Sequence, residues 1–138
     1  KITNSVKRML DEEKRFGIQK FETYANFPKK IYNLRKNVLS NFNKIVKNNQ
    51  IVAYGAPAKA TTALNFFGIR NKIKFIIEDN KLKHNRYVPG VNIPIFSKKK
   101  LNKKEEKILV LAWNFFDEIK KNNKDITDKF INLLDLAK

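Results

Sequence analysis

A short apolar segment that enters a glycine turn and continues directly as a helix constrains the fold of this chain most. Residues 51–54 predict a buried strand, 55–57 a tight turn and 58–67 a helix. The alternation continues with strands predicted at 73–77, 93–96 and 107–112, and with a helix at 115–122. Strands separated by helices indicate βαβ units. The pattern therefore predicts an α/β domain of three layers around a mostly parallel sheet.

The residues before this alternation carry helical patterns only. Apolar side chains at three- and four-residue spacing predict a helix over 6–16, with Ser5 as its N-cap and Gly17 just beyond its end. A second helix is predicted over 28–47, where Pro28 suits the first turn. We expect these two N-terminal helices to pack on or beside the sheet.

The last residues fit two descriptions. Residues 129–134 can form a strand, whereas the apolar spacing over 126–134 also suits a helix. We predict the strand, because it completes the alternation. The chain is then expected to be a single domain over 1–138, with a helical lead-in at 1–50 and the α/β part at 51–138.

The composition excludes several classes of site. The absence of Cys rules out disulfides, thiolate nucleophiles and Cys-ligated zinc, and the only His is His84, so no metal site is expected. No apolar run is long enough to span a membrane, and the charged first twenty residues are unlike a signal peptide. We therefore expect a cytoplasmic protein with no membrane partner. Because the chain begins with Lys, we expect it to be part of a longer protein.

The net charge of +17 raises the question of nucleic-acid binding. The 30 basic residues, however, comprise 25 Lys and 5 Arg, and Asn, Ile and Phe are abundant as well. Such a bias is typical of a low-GC genome, whereas base and phosphate recognition favours Arg. We expect no specific nucleic-acid partner, although the positive field favours an anionic ligand.

The turn after the first predicted strand is a candidate anion site. The free N–H groups and the dipole of the following helix attract negative charge, and small side chains allow a ligand to approach the backbone. Lys59, Thr61 and Thr62 add donors. The spacing is not that of a P-loop or of a complete dinucleotide fingerprint, and any strand-to-helix turn could need a glycine. The candidate residues are Gly55, Ala56, Pro57, Ala58, Lys59, Thr61 and Thr62.

Polar residues follow the second predicted strand. The carboxylates of Glu78 and Asp79 lie where ribose hydroxyls are usually bound in such sheets, although Asp79 and Asn80 could simply begin a turn. Arg86 beside Tyr87 could clamp a phosphate or stack on a ring, or could instead pair with a carboxylate at 78 or 79. We expect His84 to be exposed and without a role.

The single tryptophan follows the fourth predicted strand. Trp113 and Asn114 should point towards the crevice above the sheet, because ligands bind at the C-terminal ends of parallel strands. Asn114 is also a candidate N-cap of the next helix, with Asp117 in the first turn. A core tryptophan with a structural cap is the alternative interpretation.

Taken together, these motifs closely resemble the C-terminal domain of sugar C-methyltransferases. The resemblance covers nearly the whole chain and is strongest over 51–119. The chain departs from the family's pattern at Ala60-Thr61, Lys81 and Asn85, where the family usually has Gly-Asn, Pro and Gly. The motifs are Tyr54-Gly55-Ala56-Pro57-Ala58-Lys59, Asn80, Arg86-Tyr87-Val88-Pro89-Gly90, Ile93-Pro94-Ile95 and Trp113-Asn114.

The resemblance implies a Rossmann-like domain that contributes substrate-side contacts to an enzyme acting on a nucleotide-linked deoxysugar. It also implies that S-adenosylmethionine binds a methyl-donor domain of the same chain. The Gly-rich donor loop is missing from these residues. We therefore expect the chain alone to bind no cofactor, to contain no catalytic residue and to be inactive. The alternatives are a nucleotide-, dinucleotide- or coenzyme-A-binding module outside a methyltransferase, and an interaction domain with a vestigial pocket.

Overall fold

The computed structural model describes residues 2–102 and 106–138. A five-stranded, all-parallel sheet with the order β3-β2-β1-β4-β5 lies among helices, which gives the α/β three-layer architecture. The strand order reverses direction between β1 and β4. The strands are β1 (Gln50–Tyr54), β2 (Ile73–Ile77), β3 (Ile95–Phe96), β4 (Glu106–Val110) and β5 (Phe130–Asn132).

Five α-helices accompany the sheet in the part of the chain described above. The C-terminal ends of α1 and α4 are closed by Gly17 and Gly68, whose positive φ angles suit a left-handed cap. Short 3₁₀ turns connect several elements, and the longest follows β5 at Leu133–Ala137. The helices are α1 (Asn4–Phe16), α2 (Phe21–Ala25), α3 (Phe27–Val46), α4 (Ala58–Phe67) and α5 (Phe116–Asn122).

The predicted fold class is confirmed, and several local predictions need correction. The last strand does form, as β5, so the helical interpretation of 126–134 is wrong. Thr3 stands at the N-cap position of α1 instead of Ser5. The helix predicted over 28–47 begins at Phe27, and α2 precedes it. β3 is shorter than predicted because Pro94, which has no N–H, forms an antiparallel bridge with Tyr87.

Two compact units divide the chain, Lys1–Leu34 and Arg35–Lys138. In the first unit the large apolar side chains of α1 and α2 are exposed. The second unit contains the sheet and the core. There, Val38 and Phe42 of α3 are buried, and Asn41 donates hydrogen bonds to the backbone carbonyls of Leu136 and Lys138.

The central strands are buried on both faces. β1, β2 and β4 are rich in Ile, Val and Leu, as expected for a parallel sheet covered by helices. One core cluster on this sheet packs Tyr54, Phe75 and Ile108 together with Ile126. This rigid sheet fixes the positions of the loops at its carboxyl edge.

Candidate functional site

The carboxyl ends of β1, β2 and β4 meet at one edge of the sheet. Tyr54 lies opposite Ile77 on one side and opposite Val110 on the other. Two further backbone hydrogen bonds extend the pairing: Gly55 N–H donates to the Ile77 carbonyl at 2.8 Å, and Leu111 N–H donates to the Tyr54 carbonyl at 2.9 Å. The loops that follow these three strands therefore start side by side, where ligands bind in open α/β sheets.

Gly55 allows two of these loops to approach each other closely. Its φ of +86° lies in the left-handed region that disfavours other residues. A Cβ atom at this position would lie 2.9 Å from the Cβ of Ala112, in the loop after β4. The turn therefore needs glycine both for its backbone conformation and for this contact at the switch point between β1 and β4.

Glu78 already accepts a hydrogen bond from one of the N–H groups that were predicted to bind a ligand. Its carboxylate accepts hydrogen bonds from the N–H groups of Ala56 at 2.9 Å and Asn80 at 3.1 Å, and from Lys83 Nζ at 3.2 Å. Lys83 also donates to the Ala56 carbonyl. The sequence interpretation missed this role of Glu78 and Lys83. The backbone N–H groups left for an anion are those of Ala58 and Lys59, in the first turn of α4.

The environment of Glu78 changes its pKa. Burial disfavours the charged form, but the hydrogen bonds from Ala56, Asn80 and Lys83 outweigh it and lower the pKa of Glu78 below its usual range. A lowered pKa stabilises the fold above the unfolded-state pKa, and this contribution is lost as pH falls through the folded-state pKa.

We expect Glu78→Gln to remove this acid-dependent part of stability. The wild-type chain should lose free energy of unfolding more steeply than Glu78→Gln as pH falls from 6 to 3. Urea unfolding at a series of pH values measures the difference. Glu118→Gln, which removes an exposed carboxylate on α5, is the control. Identical slopes for wild type and Glu78→Gln would contradict this account.

A second polar network joins the ends of β1 and β2 to α5. The buried Tyr54 hydroxyl donates to the Asp79 carboxylate at 2.8 and 2.9 Å and accepts from Asn123 Nδ2 at 3.2 Å. Asn123 Nδ2 also donates to the Ile119 carbonyl at 2.8 Å. Burial and the hydrogen bond to Asp79 raise the pKa of Tyr54, so its hydroxyl stays protonated and remains a donor. The network fixes the orientation of Asp79.

The structure brings Lys59 and Trp113 together, as a site shared by the loops after β1 and β4 requires. Lys59 Nζ lies 4.2 Å from the centroid of the Trp113 ring, in a cation–π contact. Trp113 begins a 3₁₀ turn that leads into α5, and it is half-buried. Asn114 makes no capping hydrogen bond: Phe115 holds the N-cap position of α5, so the predicted cap is wrong.

Arg86 stands apart from this pair. Its carbonyl accepts from Ile95 N–H, which places its backbone along the outer side of β3. Four strand spacings of about 4.8 Å separate it from β4, or about 19 Å. Within the described residues its guanidinium forms no ion pair; Glu78 pairs with Lys83 instead, which corrects the alternative given for Arg86.

The structure also gives the positions of the remaining candidate residues. Asn80 accepts a hydrogen bond from Leu82 N–H, so it begins a turn. Thr61 and Thr62 lie on α4, and Tyr87 is exposed beside its bridge to Pro94. His84 is half-buried, and its Nε2 lies 2.7 Å from the Glu78 carbonyl, so the expectation that it is exposed and without a role is wrong.

A pocket of about 270 Å³ opens beside the polar network. It lies between the loops after β2 and β4 and one face of α5, next to the Gly55–Ala112 contact. Four of its residues lie on or just after α5 and carried no signal in the sequence, because helical spacing alone does not show which face meets a loop. The lining residues are Asp79, Ala112, Phe115, Glu118, Ile119, Asn122 and Asn123.

Two further findings concern metal-ion sites and membrane-spanning helices in the part of the chain that the structure describes. Among residues 2–102 and 106–138, no three His, Cys, Asp or Glu side chains are arranged to hold a metal ion. In the same residues no helix is both long and apolar enough to cross a bilayer.

The strand order, the glycine turn at the switch point and the helices around the parallel sheet define an α/β three-layer domain. The family model of the C-methyltransferase C-terminal domain matches residues 1–134, and the chain belongs to this family. It is also 30% identical over 130 residues to C-methyltransferase NovU of Streptomyces niveus. That match covers 92% of this chain and 31% of the relative, so the chain spans about a third of the length of the relative.

Proposed function

We propose that this C-methyltransferase C-terminal domain supplies the substrate-side contacts for a nucleotide-linked sugar. The methyl donor, S-adenosylmethionine, would bind another domain of the complete protein. The observation that carries the proposal is the pairing of Lys59 with Trp113 beside the Gly55 turn, at the switch point of the sheet. The sequence match to C-methyltransferases supplies the reaction class.

Lys59 is the best-placed cation for a diphosphate. It lies in the first turn of α4, where the N–H groups and the helix dipole also favour negative charge. Its ammonium group lies over the ring of Trp113, at 4.2 Å from the centroid, and this contact limits the orientations of the group. Because Glu78 has already taken the Ala56 N–H, the diphosphate would lie over the first turn of α4 and towards Trp113.

We expect Lys59→Ala to weaken binding of a nucleotide-linked sugar about tenfold or more, because a charge-assisted contact contributes roughly 1.5–3 kcal/mol. The measurement is calorimetric titration of the complete native protein that carries these residues, with thymidine diphosphate glucose and uridine diphosphate glucose. Lys74→Ala is the matched control: it removes the same charge near the amino end of β2, away from the site.

Arg86→Ala tests the extent of the site. We propose that Arg86 contacts the end of the ligand that lies on the β3 side of the sheet edge, so its removal should weaken binding as well. Unchanged affinity in Arg86→Ala would confine the site to the Lys59 side. If Lys59→Ala folds normally and binds both nucleotide sugars as the wild type does, the proposed function is wrong for this edge of the sheet.

A further inference from the structure

The pocket beside α5 differs in chemistry from the Lys59 side of the same edge. Asp79 and Glu118 bring two carboxylates to its lining, and Asn122 and Asn123 bring two amides. In a chain with a net charge of +17, this is a local concentration of acceptors. A diphosphate would be repelled here, whereas uncharged hydroxyl groups would find acceptors and donors within one small cavity.

The Asp79 carboxylate in the pocket lining is held in place before any ligand arrives. Tyr54 and Asn123 are 3% and 5% exposed, and both belong to the network that orients the Asp79 carboxylate. Each carboxylate oxygen has two lone-pair sites, so Asp79 can accept from Tyr54 and still accept from a ligand. Because the Asp79 side chain is already ordered, little free energy is lost in ordering it when a ligand binds.

The rim of the pocket offers an apolar surface. Phe115 is 58% exposed although it is large and aromatic, and Ile119 adds further apolar surface within the lining. An aromatic ring beside carboxylates and amides suits a ligand that has apolar C–H faces and hydroxyl groups around its edge. A sugar ring has both properties.

We infer that this pocket holds a hydroxyl-bearing sugar ring, with Asp79 accepting from its hydroxyl groups and Phe115 covering one of its faces. The inference rests on the proposed function, since the ring would belong to the same ligand whose diphosphate lies near Lys59. The ligand then crosses the sheet edge above Gly55 and Ala112, where the loops after β1 and β4 approach each other closely. The ring is either the hexose or the ribose of a nucleotide-linked sugar.

The test uses Asp79→Asn and Phe115→Ala in the complete native protein. Asn at position 79 keeps an oxygen for the Tyr54 hydroxyl but has lost the carboxylate. The probes are uridine diphosphate glucose, uridine diphosphate and thymidine diphosphate, titrated by calorimetry. We expect Asp79→Asn to weaken binding of uridine diphosphate glucose about tenfold or more, which is the usual effect of losing a hydrogen bond to a charged group. Phe115→Ala should also weaken it, because the aromatic surface against the sugar ring is lost.

The sign of the effect separates a direct contact from a general charge effect. Removing a negative charge near a diphosphate should strengthen binding if charge alone matters. Asp117→Asn, on α5 but outside the pocket lining, measures that general effect. Weaker binding in Asp79→Asn together with equal or stronger binding in Asp117→Asn therefore supports a direct contact with hydroxyl groups.

The probes identify the ring. A hexose in the pocket predicts that Asp79→Asn weakens uridine diphosphate glucose and leaves uridine diphosphate unchanged. A ribose predicts that both uridine ligands weaken. Thymidine diphosphate then stays unchanged if the 2′-hydroxyl makes the contact, and weakens as well if the contact is made by the 3′-hydroxyl, which it retains.

If the wild type binds nucleotide sugars and neither Asp79→Asn nor Phe115→Ala weakens any of them, the inference is overturned and the proposed function stands. If the wild type binds none of the nucleotide sugars, both are overturned.

Discussion

Gly55→Ala is expected to lower the free energy of unfolding by about 3 kcal/mol. A residue with a side chain loses about 1–2 kcal/mol in the left-handed region, and overpacking adds about 1–3 kcal/mol. Both costs apply here, because φ is +86° and the added Cβ would lie 2.9 Å from the Cβ of Ala112. Urea unfolding followed by far-UV circular dichroism measures the loss.

Gly68→Ala is the matched control for this prediction. Its φ of +69° imposes a similar backbone cost, but the nearest atom to an added Cβ is Arg35 Nη2 at an ordinary 3.7 Å. Gly68→Ala should therefore lose only about 1 kcal/mol. Equal losses for the two variants would show that the close approach of the loops after β1 and β4 adds no steric cost at position 55.

Phe42→Ala is expected to destabilise the chain by about 4 kcal/mol, within the range for truncating a buried aromatic residue. Phe42 lies on α3 and is 1% exposed. Its removal takes away apolar burial and leaves a cavity that the surrounding structure fills only in part.

The same helix provides a control for Phe42→Ala. Tyr32 also lies on α3 but is 66% exposed, so Tyr32→Ala should change stability by about 0.5 kcal/mol or less. Equilibrium unfolding in urea compares the two variants, and the wild type sets the reference. A loss below about 1 kcal/mol in Phe42→Ala would contradict the assignment of Phe42 to the core.

The sequence predicted the elements best where Pro or Gly residues bounded a segment or where the apolar pattern was clear. The helix over 58–67 and the strand over 73–77 have the bounds that were predicted, because Pro57 and Gly68 bracket the helix and a dense Ile and Phe run marks the strand. α2 was missed because a helix of five residues is too short to show a period. Fold class followed from the alternation of elements, which depends little on such details.

The candidate site was less predictable, because side-chain pairing depends on direction and distance. Glu78 and Asp79 are adjacent, yet they serve different partners: Glu78 accepts from Ala56 N–H, and Asp79 accepts from the Tyr54 hydroxyl. Asn123, which completes the second network, lies 69 residues from Tyr54. No local pattern could have connected it to β1.

Asn85 illustrates a departure from the family pattern that the backbone accommodates. The family usually has Gly at this position, and here φ is +59°, in the left-handed region. Asn tolerates that region better than most residues with a side chain. The loop that carries Arg86 can therefore keep its turn without glycine.

The contact between Lys59 and Trp113 gives the domain its own optical reporter. Trp113 is the single tryptophan of the chain, and a positive charge lies 4.2 Å from the centre of its ring. Indole emission is sensitive to nearby charge, so any ligand that draws Lys59 away from the ring changes the fluorescence of one known residue. Events at this edge of the sheet can thus be followed in the unlabelled domain, in real time and without a coupled assay.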